Sequence, residues 1–249
     1  MPRTASDQPL SSPDNPAVRR LRRLLRRREE GLVFLEGPRV VAAAVAARVP
    51  LELLALREGS AFEAPAEQTV TLAPGLFREL SRTVTPQGVL AIGRAGTASL
   101  DAALAGARAA RRPLVVLDAV QDPGNVGAVL RTAAAAGAPA AAILPGTADP
   151  LGAKAVRASA GAVFRLLLAR AEWGELEGLD GWGAAAHGGT PMARAKFEEG
   201  GMLVLGSEVR GLSRPDLATV TIPTVAVESL NVAAAAAILL FEIGRRRPS

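Results

Sequence analysis

The sequence predicts an α/β protein in two parts, a small α/β unit followed by a larger unit built on a parallel sheet. Two observations carry this. Short apolar runs alternate with stretches of helical periodicity through the second half, the pattern of strands linked by helices. Within it, Leu114–Leu117 (LVVL) is apolar without interruption, as a strand buried on both faces must be. At 249 residues the chain can form one large core or two modest ones.

The elements follow in order. Residues 1–16 hold three Ser and four Pro and read as a disordered arm. From Ala17 to Glu30 a helix would set Val18, Leu21, Leu24 and Leu25 on one face, with arginines around the rest. Strands are expected at Leu32–Leu35, Leu51–Leu56, Val70–Leu72 and Gln87–Ile92. Helices are expected over Pro38–Ala47 and Pro74–Leu80, each with Pro in its first turn. This first unit spans 17–94, and 95–112 reads as a partly helical linker. The second unit, 113–249, should run as strand Leu114–Leu117, helix Val126–Ala136, strand Ala140–Leu144, a helix near Ala153–Ala160, and a strand near Val163–Leu168. Strand-like segments at Gly183–Ala186, Met202–Leu205 and Val220–Ile222 precede a long final helix over Leu230–Arg246.

Composition narrows the chemistry. There is no Cys, so disulfides, thiolate nucleophiles and Cys-ligated zinc are excluded, and no metal is expected. No G-x-G-x-x-G stands after a strand, which disfavours a nucleotide-dependent α/β enzyme. No apolar run approaches the ~20 residues of a membrane span, and the N-terminus lacks the apolar stretch of a signal peptide. A soluble, cytoplasmic protein is expected. Of the 29 basic residues all but Lys154 and Lys196 are arginines, and they cluster in RRLRRLLRRR (19–28). That cluster reads as a solvated helix face or as a surface for RNA phosphates, which guanidinium forks bind bidentately; an anionic membrane surface is a weaker third reading, since the apolar stripe is narrow and lacks Trp or Phe. With aromatics at 3% and no Tyr, a stacking platform for single-stranded RNA is not expected. Trp173 and Trp182 are expected to pack, and His187, the only histidine, to lie in a loop.

Three separated stretches concentrate the polar chemistry where strands end: DAVQDPGNVGAVLRTAAAAG (118–137), LVLGSEVRGLS (203–213) and TIPTVAVESLNV (221–232). In the first, Asn125 is placed to cap the following helix, and Arg131 lies six residues on. In the second, Gly206, Glu208 and Gly211 follow an apolar strand, where glycine permits close backbone approach to a ligand. In the third, Ser229 and Asn231 open an apolar helix whose first N–H groups lack intrahelical partners. Taken together and in this order, the stretches resemble the three signature motifs of the SpoU/TrmH family of RNA ribose 2′-O-methyltransferases. KAVRASAGA (154–162) also fits that family.

The resemblance implies more than the residues do alone. It implies a SPOUT-type α/β domain with a C-terminal trefoil knot, preceded by a ribosomal-protein-like substrate-binding domain. It implies a homodimer, S-adenosylmethionine as cofactor and RNA as partner, with ribosomal RNA favoured over transfer RNA. Catalysis would fall to Arg131, Asn125, Glu208, Ser229 and Asn231. The cofactor would be held by Leu205, Gly206, Gly211, Ile222, Pro223, Leu230 and Asn231. RNA contacts would come from Arg19, Arg20, Arg22, Arg23, Arg26, Arg27 and Arg157, with a lesser expectation for Ser159. A catalytically inactive RNA-binding or ribosome-assembly protein is the alternative from another class.

Overall fold

The structure, a computed structural model, describes residues 8–197, 199–207, 210–214 and 216–246. It divides the chain into two compact units, 1–96 with 151–164, and 97–150 with 165–249. The main segment of the first unit ends at Gly96, where the sequence reading placed the end at 94, and 151–164 returns to this unit. Within the stretch read as a partly helical linker, residues 100–109 are helical. Helix α4 (Leu100–Ala109) belongs to the second unit, because the Ala98 N–H donates to Leu168 O at 2.7 Å, and Ala103 and Ala107 are fully buried in that unit's core.

The first unit opens with α1 (Pro16–Arg26), capped by the Asn15 side chain, which accepts from the Ala17 N–H. Its other elements are β1 (Leu32–Glu36), α2 (Pro38–Ala46), β2 (Leu51–Arg57), β3 (Gln68–Leu72), α3 (Pro74–Leu80) and β4 (Val89–Arg94). The sheet order is β1-β4-β2-β3, antiparallel except for the β2–β3 pair. Val18, Leu21 and Leu24 of α1 pack with Phe34, Phe77 and Ile92, each such burial stabilising by roughly 1.5–3 kcal/mol. The expected arm departs from expectation as far as it is described. The Leu10 N–H donates to Thr71 O at 2.8 Å and Leu10 O accepts from the Ala73 N–H at 3.0 Å, so this stretch pairs along β3 as a short parallel bridge. Residues 1–7 lie outside the described residues.

Helix α6 (Ala153–Ala158) also packs in this unit, against β1. Gly161, just beyond it, has φ +81°, and a Cβ there would come within 2.6 Å of the Ala43 Cβ on α2. A glycine is therefore required both for the left-handed backbone and for the close approach. Ser159 is fully buried and its hydroxyl donates to Val156 O at 2.8 Å. It closes the helix end and is not placed for RNA contact.

The second unit carries seven parallel strands in the order β7-β6-β5-β10-β8-β11-β9. They are β5 (Leu114–Asp118), β6 (Ala140–Ile143), β7 (Leu167–Arg170), β8 (Gly181–Ala185), β9 (Thr190–Pro191), β10 (Met202–Gly206) and β11 (Thr219–Thr221). Helix α5 (Pro123–Ala135) packs against α7 (Val232–Arg245). Alanines at 140, 141 and 142 are fully buried, as are Leu114–Leu117 within the 1% level, which is the two-sided burial expected of this strand. Two segments differ from expectation. A 3₁₀ turn at Ala162–Arg165 takes the place of the strand expected from Val163, and β7 starts only at Leu167. The two-residue β9 was not anticipated. Among the described residues no helix is long and apolar enough to cross a membrane.

Candidate active site

Because all seven strands run the same way, β5, β8, β10 and β11 present their carboxyl ends along one edge of the sheet. Ligands in open α/β sheets sit beyond such edges. A cavity of about 500 Å³ lies there, within the ~300–1,000 Å³ of ordinary ligand sites. Its walls are Ala184–Ala186 at the end of β8, Leu205–Ser207 at the end of β10, and Thr219, Val220 and Ile222 around β11. Leu230, Val232, Ala235 and Leu239 of the final loop and helix close it.

The second motif is a tight loop tied at its base. The Ser207 and Gly211 backbones exchange hydrogen bonds, N–H to O, at 3.0 and 2.8 Å, and Gly211 has φ +68°. A Cβ on Gly206 would meet Gly211 O at 2.5 Å, so only glycine allows the strand end and the returning loop to lie this close. Asp118, at the end of β5 and level with Gly206, anchors the same loop. Its carboxylate is 2% exposed and accepts from the Ser213 N–H at 2.7 Å and from the Ser213 hydroxyl at 2.7–2.8 Å. The Trp173 indole N–H in turn donates to the Ser213 hydroxyl at 2.7 Å, and the Arg214 guanidinium lies 5.6 Å from the Trp173 ring centre. Asp216 hydrogen-bonds Arg214, which holds its carboxyl down at about 2, so the pair stays ionised through the neutral range. This network was not found from the sequence. Asp118 and Ser213 stand 95 residues apart, and only the aspartate at a strand end was a usable signal.

Asp118→Ala should therefore loosen the loop. Hydrogen bonds to a charged group are worth about 1.5–3 kcal/mol, so a lower unfolding temperature and a weaker ligand affinity are both expected in calorimetry. Unchanged values would show that the loop stands without its anchor.

The first and third motifs meet directly. Asp122, not Asn125, caps α5: its side chain accepts from the Asn125 N–H at 3.0 Å. Asn125 sits in the first turn, and its side-chain oxygen accepts from Asn231 Nδ2 at 3.1 Å. Asn231 caps α7, accepting from the Ala233 N–H at 2.9 Å. One asparagine thus starts the last helix and fixes it to the first motif. Of the residues expected to hold cofactor, Leu205, Gly206, Gly211, Ile222 and Leu230 line the cavity, whereas Pro223 and Asn231 do not. Ser229 lines it as well. Arg131 is exposed on α5 and is not among the lining residues. Glu208 lies outside the described residues. Arg210 and Arg214, which do line the cavity, were missed by sequence reasoning.

Comparison with known proteins decides the family. Residues 112–241 match the SpoU rRNA methylase family, and residues 15–91 match an MRM3-like substrate-binding domain. This chain belongs to the SpoU rRNA methylase family. It is an RNA methyltransferase. The Bacillus subtilis 23S rRNA (guanosine(2553)-2′-O)-methyltransferase RlmP is 33% identical to the methylase over 188 residues, 71% of this chain and 72% of that protein. The AdoMet-bound rRNA methyltransferase of Sinorhizobium meliloti superposes with a TM-score of 0.81 at 26% identity, covering 97% of this chain and 99% of the other. The SpoU methyltransferase AviRb of Streptomyces viridochromogenes, in complex with AdoMet, gives 0.78 at 26% identity, over 93% and 98%. Both structures hold the methyl donor expected for the methylase from its sequence.

The residues expected to contact RNA lie in the first unit. Arg20 pairs with the buried Glu52, which Arg94 also reaches at 2.5 Å. Arg22 pairs with Glu79 at 2.6 Å and Arg23 with Glu29 at 2.5 Å. Arg19, Arg26 and Arg27 are exposed. Arg157 stands 3.7 Å from Glu36. Trp182 packs edge-on to Phe197 with ring centres 6.0 Å apart, and His187 lies exposed in the loop after β8.

Proposed function

We propose that the chain transfers a methyl group from S-adenosylmethionine to a ribose 2′-hydroxyl of ribosomal RNA. The observation that carries this is the cavity at the carboxyl ends of β8, β10 and β11, walled by the second and third motifs and locked to the first through Asn125 and Asn231. Its residues fit the cofactor. Leu205, Ile222, Leu230 and Leu239 offer apolar walls to a purine, Ser207, Ser229 and Thr224 offer hydroxyls, and Arg210 and Arg214 offer partners for a carboxylate. S-adenosylmethionine held there would supply an electrophilic sulfonium methyl group for a ribose 2′-oxygen.

The chain's own residues position that attack. A guanidinium stays protonated in proteins, so Arg131 serves as a positioning and charge-stabilising group for the RNA phosphate and the developing alkoxide. Asn125 orients the ribose, Glu208 holds the substrate side, and Ser229 with Asn231 completes the site. Arg131 does not line the cavity of its own chain, so it reaches the reaction through the bound RNA or from a second copy. A homodimer through the α5–α7 face supplies the second copy. Phe241 and Ile238 of α7 are 69% and 36% exposed there, beside a groove of about 370 Å³ lined by Thr132, Ala135, Ala136 and Ala237. The last strands form a deep trefoil knot, a rare device. It is supported by the insertion of β10 between the earlier β5 and β8 and by the return of α7 to α5.

The first unit binds the RNA. Exposed ion pairs contribute only about 0–1 kcal/mol, so Arg22 and Arg23 can exchange their carboxylates for phosphates, while Arg20 at the buried Glu52 is structural. Replacing Arg19, Arg26 and Arg27 together by alanine should weaken RNA binding and lower the salt dependence of log K by ~2–3. An unchanged slope would make that helix a solvated face only. A role on ribosomal RNA supports the cytoplasmic location expected from the sequence. The whole reading is tested by methyl transfer from labelled S-adenosylmethionine to ribosomal and transfer RNA offered separately. Label in the ribosomal pool supports it, and label in transfer RNA alone moves the substrate to that class.

A further inference from the structure

The cavity at the carboxyl ends of β8, β10 and β11 is lined by two arginines, Arg210 and Arg214, and among the described residues by no acidic side chain. The two arginines are not equivalent. Arg214 is committed to protein partners: its Nε and Nη2 donate to the Asp216 carboxylate at 2.8 and 2.7 Å. Its Nη1 stands 3.7 Å from Glu177, and its guanidinium lies over the Trp173 ring. Arg210 is exposed, and its guanidinium makes no hydrogen bond or ion pair with another described residue. Its backbone is nevertheless held. Arg210 lies within the turn that Ser207 and Gly211 close with two hydrogen bonds, at 3.0 and 2.8 Å. A charge on a backbone fixed beforehand loses less freedom when a ligand pairs with it.

An exposed arginine by itself is a solvated charge. The cavity's ligand gives this one a partner. S-adenosylmethionine carries a positive sulfonium, a positive ammonium and a single carboxylate. A wall that bears a guanidinium and no acidic group attracts only the carboxylate and repels the other two. We infer that Arg210 is a specificity-determining residue, whose guanidinium pairs with the carboxylate of the methyl donor and keeps the donor's positive groups away from that wall. The inference rests on the S-adenosylmethionine reading of the cavity and adds to it which side chain recognises the donor's charged end. Of the two guanidiniums available to a carboxylate, Arg210 is the uncommitted one. Arg214, tied to Asp216 and stacked on Trp173, shapes the wall beside it.

The test measures binding to the full chain by calorimetry, using S-adenosylmethionine and its decarboxylated analogue, which lacks only the carboxylate. The unsubstituted chain should bind S-adenosylmethionine at least ~10-fold more tightly than the analogue, the scale of one charge-assisted pair. In Arg210→Ala that preference should shrink to about twofold or less, because only S-adenosylmethionine loses a partner. Affinity for the analogue should hold or rise, since a repelling charge has gone. Arg210→Gln should behave as Arg210→Ala does, and Arg210→Lys should keep part of the preference, having the charge without the planar fork. Equal binding of the two ligands by the unsubstituted chain overturns the inference, as does an equal loss for both in Arg210→Ala, which would mean a damaged loop. An intact preference in Arg210→Ala also overturns it. If that variant instead binds a 23S ribosomal RNA transcript more weakly, with a salt slope lower by about one, the side chain serves an RNA phosphate. Failure of the unsubstituted chain to bind S-adenosylmethionine overturns the cofactor reading and the inference with it.

Discussion

Replacing Arg131 by alanine should abolish methyl transfer while leaving S-adenosylmethionine affinity within about twofold. The split follows from position. Arg131 is exposed on α5 and is not among the residues that line the cavity, so its loss removes nothing the cofactor touches. Removing one preorganised group that stabilises developing charge costs about 10²–10³ in turnover, and loss of phosphate positioning adds to that. Arg131→Lys should recover little, since an ammonium keeps the charge but not the planar fork. Single-turnover assays with saturating cofactor read the effect, and calorimetry reads the affinity. Near-normal turnover in Arg131→Ala would remove this residue from the mechanism.

The opposite split is expected at Gly206. A Cβ there would lie 2.5 Å from Gly211 O and 2.6 Å from Gly211 C, and both are backbone atoms of a loop closed by its own hydrogen bonds. The strand end and the loop must therefore move apart, at the ~1–3 kcal/mol typical of overpacking, which corresponds to about 5- to 150-fold in cofactor affinity. Gly174→Ala is the matched control, because a Cβ at that glycine meets nothing within 4 Å. Cofactor affinity should fall in Gly206→Ala and hold in Gly174→Ala. Equal behaviour of the two variants would mean that the cavity does not seat the cofactor against this loop.

Much of the fold is legible in local pattern. The four strands of the first unit and its helices α1, α2 and α3 fall within a few residues of their expected places because most of the apolar runs are bounded by Gly, Pro or charge. The same holds for β5, β6, β10 and α7. The misreadings have identifiable sources. At the start of α5 both Asp122 and Asn125 are good caps; Pro123, best placed at the first helical position, marks Asp122 as the cap, and the Asn125 side chain meets Asn231 instead. The run VFRLLLAR (163–170) is apolar enough for a strand throughout, yet its first part turns as a 3₁₀ helix. The docking of 151–164 onto the first unit and the Asp118–Ser213–Trp173 network are contacts between segments distant in sequence, which no periodicity reports. In the site, the strand-end glycines and the apolar cavity walls were readable because they belong to local motifs. Arg210 and Arg214 were not singled out, because an arginine in a loop carries no periodicity or capping signal of its own.

The central claim is that the methyl group goes to a ribose oxygen. Nucleoside mass spectrometry of ribosomal RNA treated with the enzyme and labelled S-adenosylmethionine tests it most directly. The account predicts one nucleoside whose added methyl stays with the ribose fragment when the glycosidic bond breaks. A methyl that stays with the base would contradict it, as would S-adenosylmethionine binding with no transfer to any RNA.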